Sequence, residues 1–135
     1  MTEYGKRAGE LFAKGYNCAQ SVAGAFAEKA DMELEEITKL ASGFGGGIAG
    51  MREMCGAVSG MIIAAGMLKG YQQPCAPEVK RAHYSFCREL IDEFEEECSS
   101  IICHIQLEKQ KSGEKGKLSC RELCCIAADI LAKRI

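Results

Sequence analysis

The residues of this sequence with the widest range of possible chemistry are its cysteines, nine among 135 residues. Thiolates are soft metal ligands and are also the nucleophiles of thiol-disulfide exchange, so either chemistry is open to them. The odd count, and a chain long enough to bury a hydrophobic core, argue against a disulfide framework. In a reducing compartment, such enrichment favours metal binding or redox chemistry. The nine are Cys18, Cys55, Cys75, Cys87, Cys98, Cys103, Cys120, Cys124 and Cys125.

The central stretch, residues 43–66, places Cys55 between a glycine-rich turn and a helix rich in glycine and alanine, GFGGGIAGMREMCGAVSGMIIAAG. The helix N-terminus and the nearby Arg52 both favour a thiolate, so Cys55 is expected to be the most acidic cysteine. If the chemistry is thiol redox, Cys55 is the candidate catalytic residue. An equally supported alternative is that the small residues allow close helix packing and that Cys55 is a core residue.

The elements that must position these cysteines are predicted to be helices. Asn17 and Ser119 are typical N-caps and predict helices that begin at Cys18 and Cys120. The longest helix is expected over residues 78–98, followed by a short apolar segment with Cys103 and a polar loop over 108–117. The predicted fold class is therefore all-α, a compact single-domain bundle of five to six short helices over residues 1–135. A Gly-rich loop precedes its central buried helix.

Composition excludes several classes of partner. With 47% hydrophobic and 27% charged residues and a formal net charge of -2, the chain is typical of a globular protein. The sequence has no basic stripe of the kind that would indicate a nucleic-acid partner. The most apolar stretch, residues 57–68, is too short for membrane insertion. The N-terminus lacks the pattern of a signal peptide, so a cytoplasmic location is expected.

Familiar local motifs do not account for the cysteines. There is no CxxC, which excludes the local spacing of a thioredoxin-type dithiol or a zinc ribbon. Residues 45–50 match GxGxxG formally, but no strand precedes them and no acidic residue follows at the required distance, so no dinucleotide site is predicted. The four-segment distribution of the cysteines calls for a different explanation.

The sequence CGAVSG, which begins at Cys55, matches the CGAxxG motif of the C_GCAxxG_C_C family of redox-active proteins. The chain is similar to this family over nearly its whole length, through GYNCAQSV, GFGGGIAGMREMCGAVSGM, FEEECSSIICHIQL and CRELCCIAADIL. On that resemblance the four family cysteines are Cys18, Cys55, Cys103 and Cys120. Cys98 competes with Cys103 for its place, and Cys124 competes with Cys120.

The resemblance implies a redox-associated helical protein, often encoded near transporters, whose four cysteines would suit an iron-sulfur cluster. A similar domain occurs in multihaem cytochromes, but this sequence lacks their haem-binding motifs. Four soft donors also suit zinc, although structural zinc more often uses closely spaced pairs. We therefore expect Cys18, Cys55, Cys103 and Cys120 to bind an iron-sulfur cluster for electron transfer or redox sensing.

Two other functions stay open at this point. One is a thiol/disulfide redox protein in which Cys55 is the reactive thiol, and the other is a metal-binding accessory protein for a transporter without catalysis. Whether the chain is an enzyme is undetermined, its redox partner is unidentified, and a homodimer is one of the assembly states left open. The remaining cysteines, Cys75, Cys87, Cys98, Cys124 and Cys125, have no assigned role.

Overall fold

The computed structural model describes residues 1–113 and 115–135, and the all-α fold class is confirmed over them. These residues form no strand, and their only extended pairing is an isolated antiparallel bridge between Met54 and Ile102. A single 3-10 turn spans Ser42–Phe44. The helices are α1 (Glu3–Ala13), α2 (Cys18–Gly24), α3 (Leu34–Ala41), α4 (Gly56–Lys69), α5 (Pro77–Cys98), α6 (Cys103–Ser112) and α7 (Cys120–Ala132).

The starts of α2 and α7 lie where the capping residues predict them. The Asn17 side chain accepts a hydrogen bond of 2.8 Å from the backbone N–H of Gln20, whose side chain accepts one of 3.0 Å in return. Ser119 and Glu122 form the same reciprocal capping box at α7, with two hydrogen bonds of 3.1 Å. Each capping box satisfies N–H groups that a helix start would otherwise leave unpaired. The starts of α2 and α7 are therefore set by the local sequence.

The structure has seven helices within the residues it describes, where five to six were expected. The additional helix, α6, occupies a segment that was expected to be an apolar stretch and a polar loop. Its N-cap, Ile102, makes no side-chain capping bond. The buried Gln106 instead anchors the helix, because its side-chain N–H groups donate to the carbonyl oxygens of Cys98 and Ser100 at 2.9 and 2.7 Å. Tertiary contacts of this kind leave no periodic signature in the sequence.

Helix α4 is the central buried helix, as predicted, and packs against α2, α5 and α7. Its fully buried Met61 joins a core that also contains Phe26, Phe94 and Leu90. The approach of α2 is close: a Cβ at Gly60 would lie 2.6 Å from the carbonyl oxygen of Ala19. The small residues of α4 therefore do serve tight helix packing, which was one of the two interpretations open from the sequence.

The termini of the chain are fastened to each other through α1 and α7. Asp129 accepts hydrogen bonds from the backbone N–H and the hydroxyl of Thr2, at 2.9 and 2.7 Å. The Tyr4 ring stacks on Phe26 with centroids 4.6 Å apart. None of the helices in residues 1–113 and 115–135 is both long and apolar enough to cross a membrane.

Candidate functional site

The four cysteines singled out by sequence lie at the N-terminal ends of four different helices. Cys55 is the N-cap of α4, while Cys18, Cys103 and Cys120 are the first residues of α2, α6 and α7. All four line one cavity of about 210 Å³. The positive ends of four helix dipoles therefore meet around one group of thiols, an arrangement that favours negative charge in the cavity.

Backbone hydrogen bonds fix Cys55 and Cys103 relative to each other. The N–H of Cys55 donates to the carbonyl oxygen of Ile101 at 2.7 Å, and the N–H of Cys103 donates to that of Glu53 at 2.6 Å. The N–H of His104 donates to the carbonyl oxygen of Arg52 at 3.1 Å. The loop before α4 and the segment that leads into α6 thus form a small paired unit that carries one cysteine on each side.

The glycine-rich loop can approach this unit only because Gly47 has no side chain. Gly47 has a φ of +71°, and a Cβ there would lie 2.7 Å from both the Cβ of Cys103 and the Cα of Arg52. The loop is held in place by its own hydrogen bonds, among them one of 2.9 Å from the N–H of Glu53 to the carbonyl oxygen of Gly47. Ile48, a β-branched residue, also has a positive φ of 70°. Such strain persists where the surrounding contacts enforce it, and often at functional sites.

Cys18 and Cys120 line the same cavity. Each of the two thiols affects the ionisation of the other. The side-chain amide of Gln110 donates to the Sγ of Cys120 at 3.6 Å and to the carbonyl oxygen of Leu118 at 2.8 Å, which ties α6 to the start of α7. Gly56 lies against Cys18, since a Cβ there would be 2.9 Å from the Cβ of that cysteine.

Burial makes these thiols hard to ionise in the absence of a cation. Burial raises the pKa of Cys55 to about 11, although the backbone N–H groups of Ala57 and Val58 act in the opposite direction. The expectation that Cys55 is the most acidic cysteine is therefore wrong. The helix N-terminus has the predicted sign, but the desolvation of a thiol only 4% exposed outweighs it.

The pKa values of Cys18 and Cys120 are also raised. For Cys120, the interaction with the neighbouring Cys18 thiol is the largest cause of the raised pKa, followed by burial. For Cys18, the interaction with the Cys120 thiol lowers the pKa, but the Cys124 thiol and burial together raise it by more. Neighbouring thiols repel each other once charged, so each ionisation makes the next one harder.

Arg52 contributes the positive charge nearest to the cavity. Its guanidinium Nη1 lies 4.0 Å from the Sγ of Cys103, and its charge acts to lower the pKa of Cys120. The sequence suggested Arg52 as a neighbour of Cys55, one turn earlier. In the structure its guanidinium lies near the sulfur of another segment, and the backbone of Arg52 has a positive φ of 63°.

The five other cysteines do not line the cavity. Cys75 is exposed on the loop before α5, and Cys125 lies on the side of α7 that faces Gly9. Cys87 is buried, with its Sγ 3.5 Å from the Nε2 of His83. Cys98, the competitor of Cys103, is buried at the end of α5 and lines a separate cavity with Lys109. Cys124, the competitor of Cys120, is fully buried behind Cys18.

Two glutamine side chains in this region carried no signal in the sequence. Gln106 lines the cavity and Gln110 contacts Cys120. Both lie on α6, and a polar residue on an unrecognised helix cannot be assigned to a face. Across residues 1–113 and 115–135, no group of three or more His, Cys, Asp or Glu side chains is arranged to hold a metal ion as the side chains lie.

Comparison with known families gives one match. The family model described as putative redox-active protein (C_GCAxxG_C_C) matches residues 16–134, which include all four cavity cysteines. No match was found among curated proteins or among solved structures. The resemblance noted from the CGAVSG motif is thereby confirmed.

Proposed function

Because the chain belongs to the C_GCAxxG_C_C family, we propose that Cys18, Cys55, Cys103 and Cys120 bind an iron-sulfur cluster that serves electron transfer or redox sensing. The observation that carries this proposal is the meeting of four helix N-termini, each with one cysteine, around one cavity. The cavity cysteines are the same four that the sequence resemblance suggested as the family cysteines.

The donor set suits such a cluster. Iron-sulfur clusters are held by four cysteine thiolates, and here each thiol comes from a separate element. The absence of a Cβ at Gly47 and Gly56 leaves backbone close to the Cβ atoms of Cys103 and Cys18. Apolar side chains, among them Phe12 and Leu123, complete the cavity wall and limit the access of water. When bound, a cluster of this kind supplies one-electron transfer.

The electrostatics favour a bound cation over four free thiols. The raised pKa values of Cys18, Cys55 and Cys120 keep these groups protonated near neutral pH. Metal binding replaces those protons, and the helix N-termini and Arg52 then offset the negative charge of the thiolates. These same groups make reduction easier, because they favour the added electron.

Zinc is the alternative for the same four ligands. Four-thiolate zinc sites place every sulfur about 2.3 Å from one ion and usually draw their ligands from closely spaced pairs. The cavity cysteines come from four separate segments, and no two of them form such a closely spaced pair. We therefore rank the iron-sulfur cluster first.

The thiol/disulfide alternative, with Cys55 as the reactive thiol, has less support. A reactive cysteine is normally exposed and has a lowered pKa. Cys55 is 4% exposed, and burial raises its pKa to about 11. We infer that a transporter-associated or other redox partner would receive electrons from the cavity and would not exchange thiols with Cys55.

The proposal is tested by purifying the protein without oxygen and measuring iron, acid-labile sulfide and the optical spectrum. We expect iron and sulfide in matching amounts, lost together in Cys55→Ser and retained in Cys75→Ser. Cys75 is the control because it is exposed and does not line the cavity. Protein that binds neither iron nor sulfide on reconstitution, or a Cys55→Ser variant that retains both, would contradict the proposal.

A further inference from the structure

A fifth thiol lies in contact with the cavity cysteines without lining the cavity. The Cys124 thiol donates a hydrogen bond of 3.9 Å to the carbonyl oxygen of Cys18, and it also raises the pKa of the Cys18 thiol. Cys124 is one helical turn after Cys120 on α7 and is fully buried. Residues four apart lie on one face of a helix, so this face of α7 presents two thiols to Cys18.

We propose that Cys18 and Cys124 form a reversible disulfide when no metal is bound, and that this bond removes Cys18 from the four-thiol set. The bond would join neighbours in the core, because the Sγ of Cys124 lies 3.9 Å from the carbonyl oxygen of Cys18 and Cys18 packs against the core cluster that contains Cys124. The regulatory meaning rests on the proposed function: with Cys18 oxidised, three thiols remain in the cavity and a four-thiolate site cannot assemble.

The oxidant is a low-molecular-weight disulfide, RSSR. Cys18 loses its proton, and the resulting thiolate attacks one sulfur of RSSR, which breaks the S–S bond of the oxidant and forms a mixed disulfide on Cys18; the departing RS⁻ takes up the proton and becomes the first RSH. Cys124 then loses its proton and attacks the Cys18 sulfur, which releases the second RSH. In total, two protein thiols lose two electrons and two protons, and one RSSR becomes two RSH.

Cys18 is the group in this pair that the oxidant can reach. It is half-buried and lines the cavity, whereas Cys124 has no exposed surface. Cys120 lines the cavity together with Cys18 and is therefore a competing partner for the same bond. A variant that lacks Cys120 isolates the contribution of Cys124.

The test uses metal-free full-length Cys120→Ser treated with oxidised glutathione, followed by alkylation of free thiols and peptide mass mapping. We expect a disulfide between the Cys18 peptide and the α7 peptide. Adding Cys124→Ala should lower its yield about tenfold or more, because a thiol held beside Cys18 reacts far faster than a separated one. Adding Cys125→Ala should leave the yield unchanged, since Cys125 faces α1.

The proposal is overturned if Cys120→Ser forms no such disulfide, or if Cys124→Ala and Cys125→Ala lower its yield equally. Circular dichroism establishes that each variant is folded. A second measurement needs no variant: fragment-ion spectra of the oxidised wild-type protein should locate bonds from Cys18 to both Cys120 and Cys124, and the lack of the latter also overturns the proposal. Neither measurement involves a metal, so the disulfide proposal and the iron-sulfur proposal can be contradicted independently of each other.

Discussion

The backbone N–H of Cys103 donates a hydrogen bond of 2.6 Å to the carbonyl oxygen of Glu53, two residues before Cys55. This bond joins the glycine-rich loop to the start of α6, so the two cysteines hold their positions through backbone contacts. Cys18 and Cys120 are held differently, each by a capping box at its own helix start. The cavity is therefore assembled from two locally encoded cysteines and two whose positions depend on tertiary structure.

Gly47 is expected to be essential for the positions of Cys55 and Cys103. In Gly47→Ala, a residue with a φ of +71° would gain a Cβ 2.7 Å from the Cβ of Cys103. The left-handed conformation alone costs about 1–3 kcal/mol, and the clash displaces the cysteine as well. Chemical denaturation should show lower stability, and iron reconstitution should fail.

Gly43→Ala is the control for this change, since a Cβ at Gly43 meets nothing within 4 Å. It should retain both stability and iron. If Gly43→Ala and Gly47→Ala had the same stability and the same iron content, the role given to Gly47 would be contradicted.

The interface between α2 and α4 provides a test of packing. In Gly60→Ala the new Cβ would lie 2.6 Å from the carbonyl oxygen of Ala19, which is backbone and cannot easily move. We expect a loss of about 1–3 kcal/mol in the free energy of unfolding. Thermal or urea denaturation measures it.

Gly66→Ala, on the same helix, serves as the matched variant. A Cβ at Gly66 meets nothing within 4 Å, so this change should stabilise the helix by about 0.5–1 kcal/mol. If both substitutions on α4 change stability in the same direction, the close approach of α2 is not what determines the effect.

Helix starts and fold class could be predicted from the sequence wherever the signals are local. Asn17 and Ser119 carry capping chemistry that acts within four residues, and both predictions are correct. The start of α6 could not be predicted, because Ile102 has no capping side chain and the anchor is Gln106 bonded to residues outside the helix.

The prediction that Cys55 is the most acidic cysteine was wrong for a related reason. A helix N-terminus is visible in the sequence, but the burial that opposes it arises only when four segments pack around the thiol. The contact between Cys18 and Cys124 joins residues far apart in the chain, and spacing along a single helix gives no information about it.

The raised pKa of Cys55 predicts a loss of stability at alkaline pH in the metal-free protein. Folding raises this pKa from 9.0 to about 11, so the contribution is complete below pH 9 and is lost as pH rises through about 11. Over that window the thiol ionises in the unfolded chain first, which destabilises the folded state by roughly 2–3 kcal/mol.

Urea denaturation of wild type and Cys55→Ala at intervals between pH 8 and pH 11 measures this effect. The stability difference between the two proteins should narrow as pH increases. A difference that is constant over the whole interval would show that the ionisation of Cys55 is not linked to folding.

Arg52→Gln should lower the reduction potential of the reconstituted protein. The guanidinium lies 4.0 Å from the Sγ of Cys103, and removing a positive charge near the site disfavours the added electron. Arg121→Gln is a suitable control, since its guanidinium faces Gly9 on α1. Spectroelectrochemical titration of both variants provides the comparison, and equal potentials would remove Arg52 from the account.

The most direct test of the four-cysteine site is the iron content of nine single Cys→Ala variants, each reconstituted and purified without oxygen. The account predicts that iron and sulfide are lost from the variants at Cys18, Cys55, Cys103 and Cys120, which line the cavity, and are retained at the other five positions. Circular dichroism identifies any variant that fails to fold. The four-cysteine site would be contradicted if folded variants at the four cavity positions kept their full iron content. It would also be contradicted if iron were lost to the same extent from all nine variants.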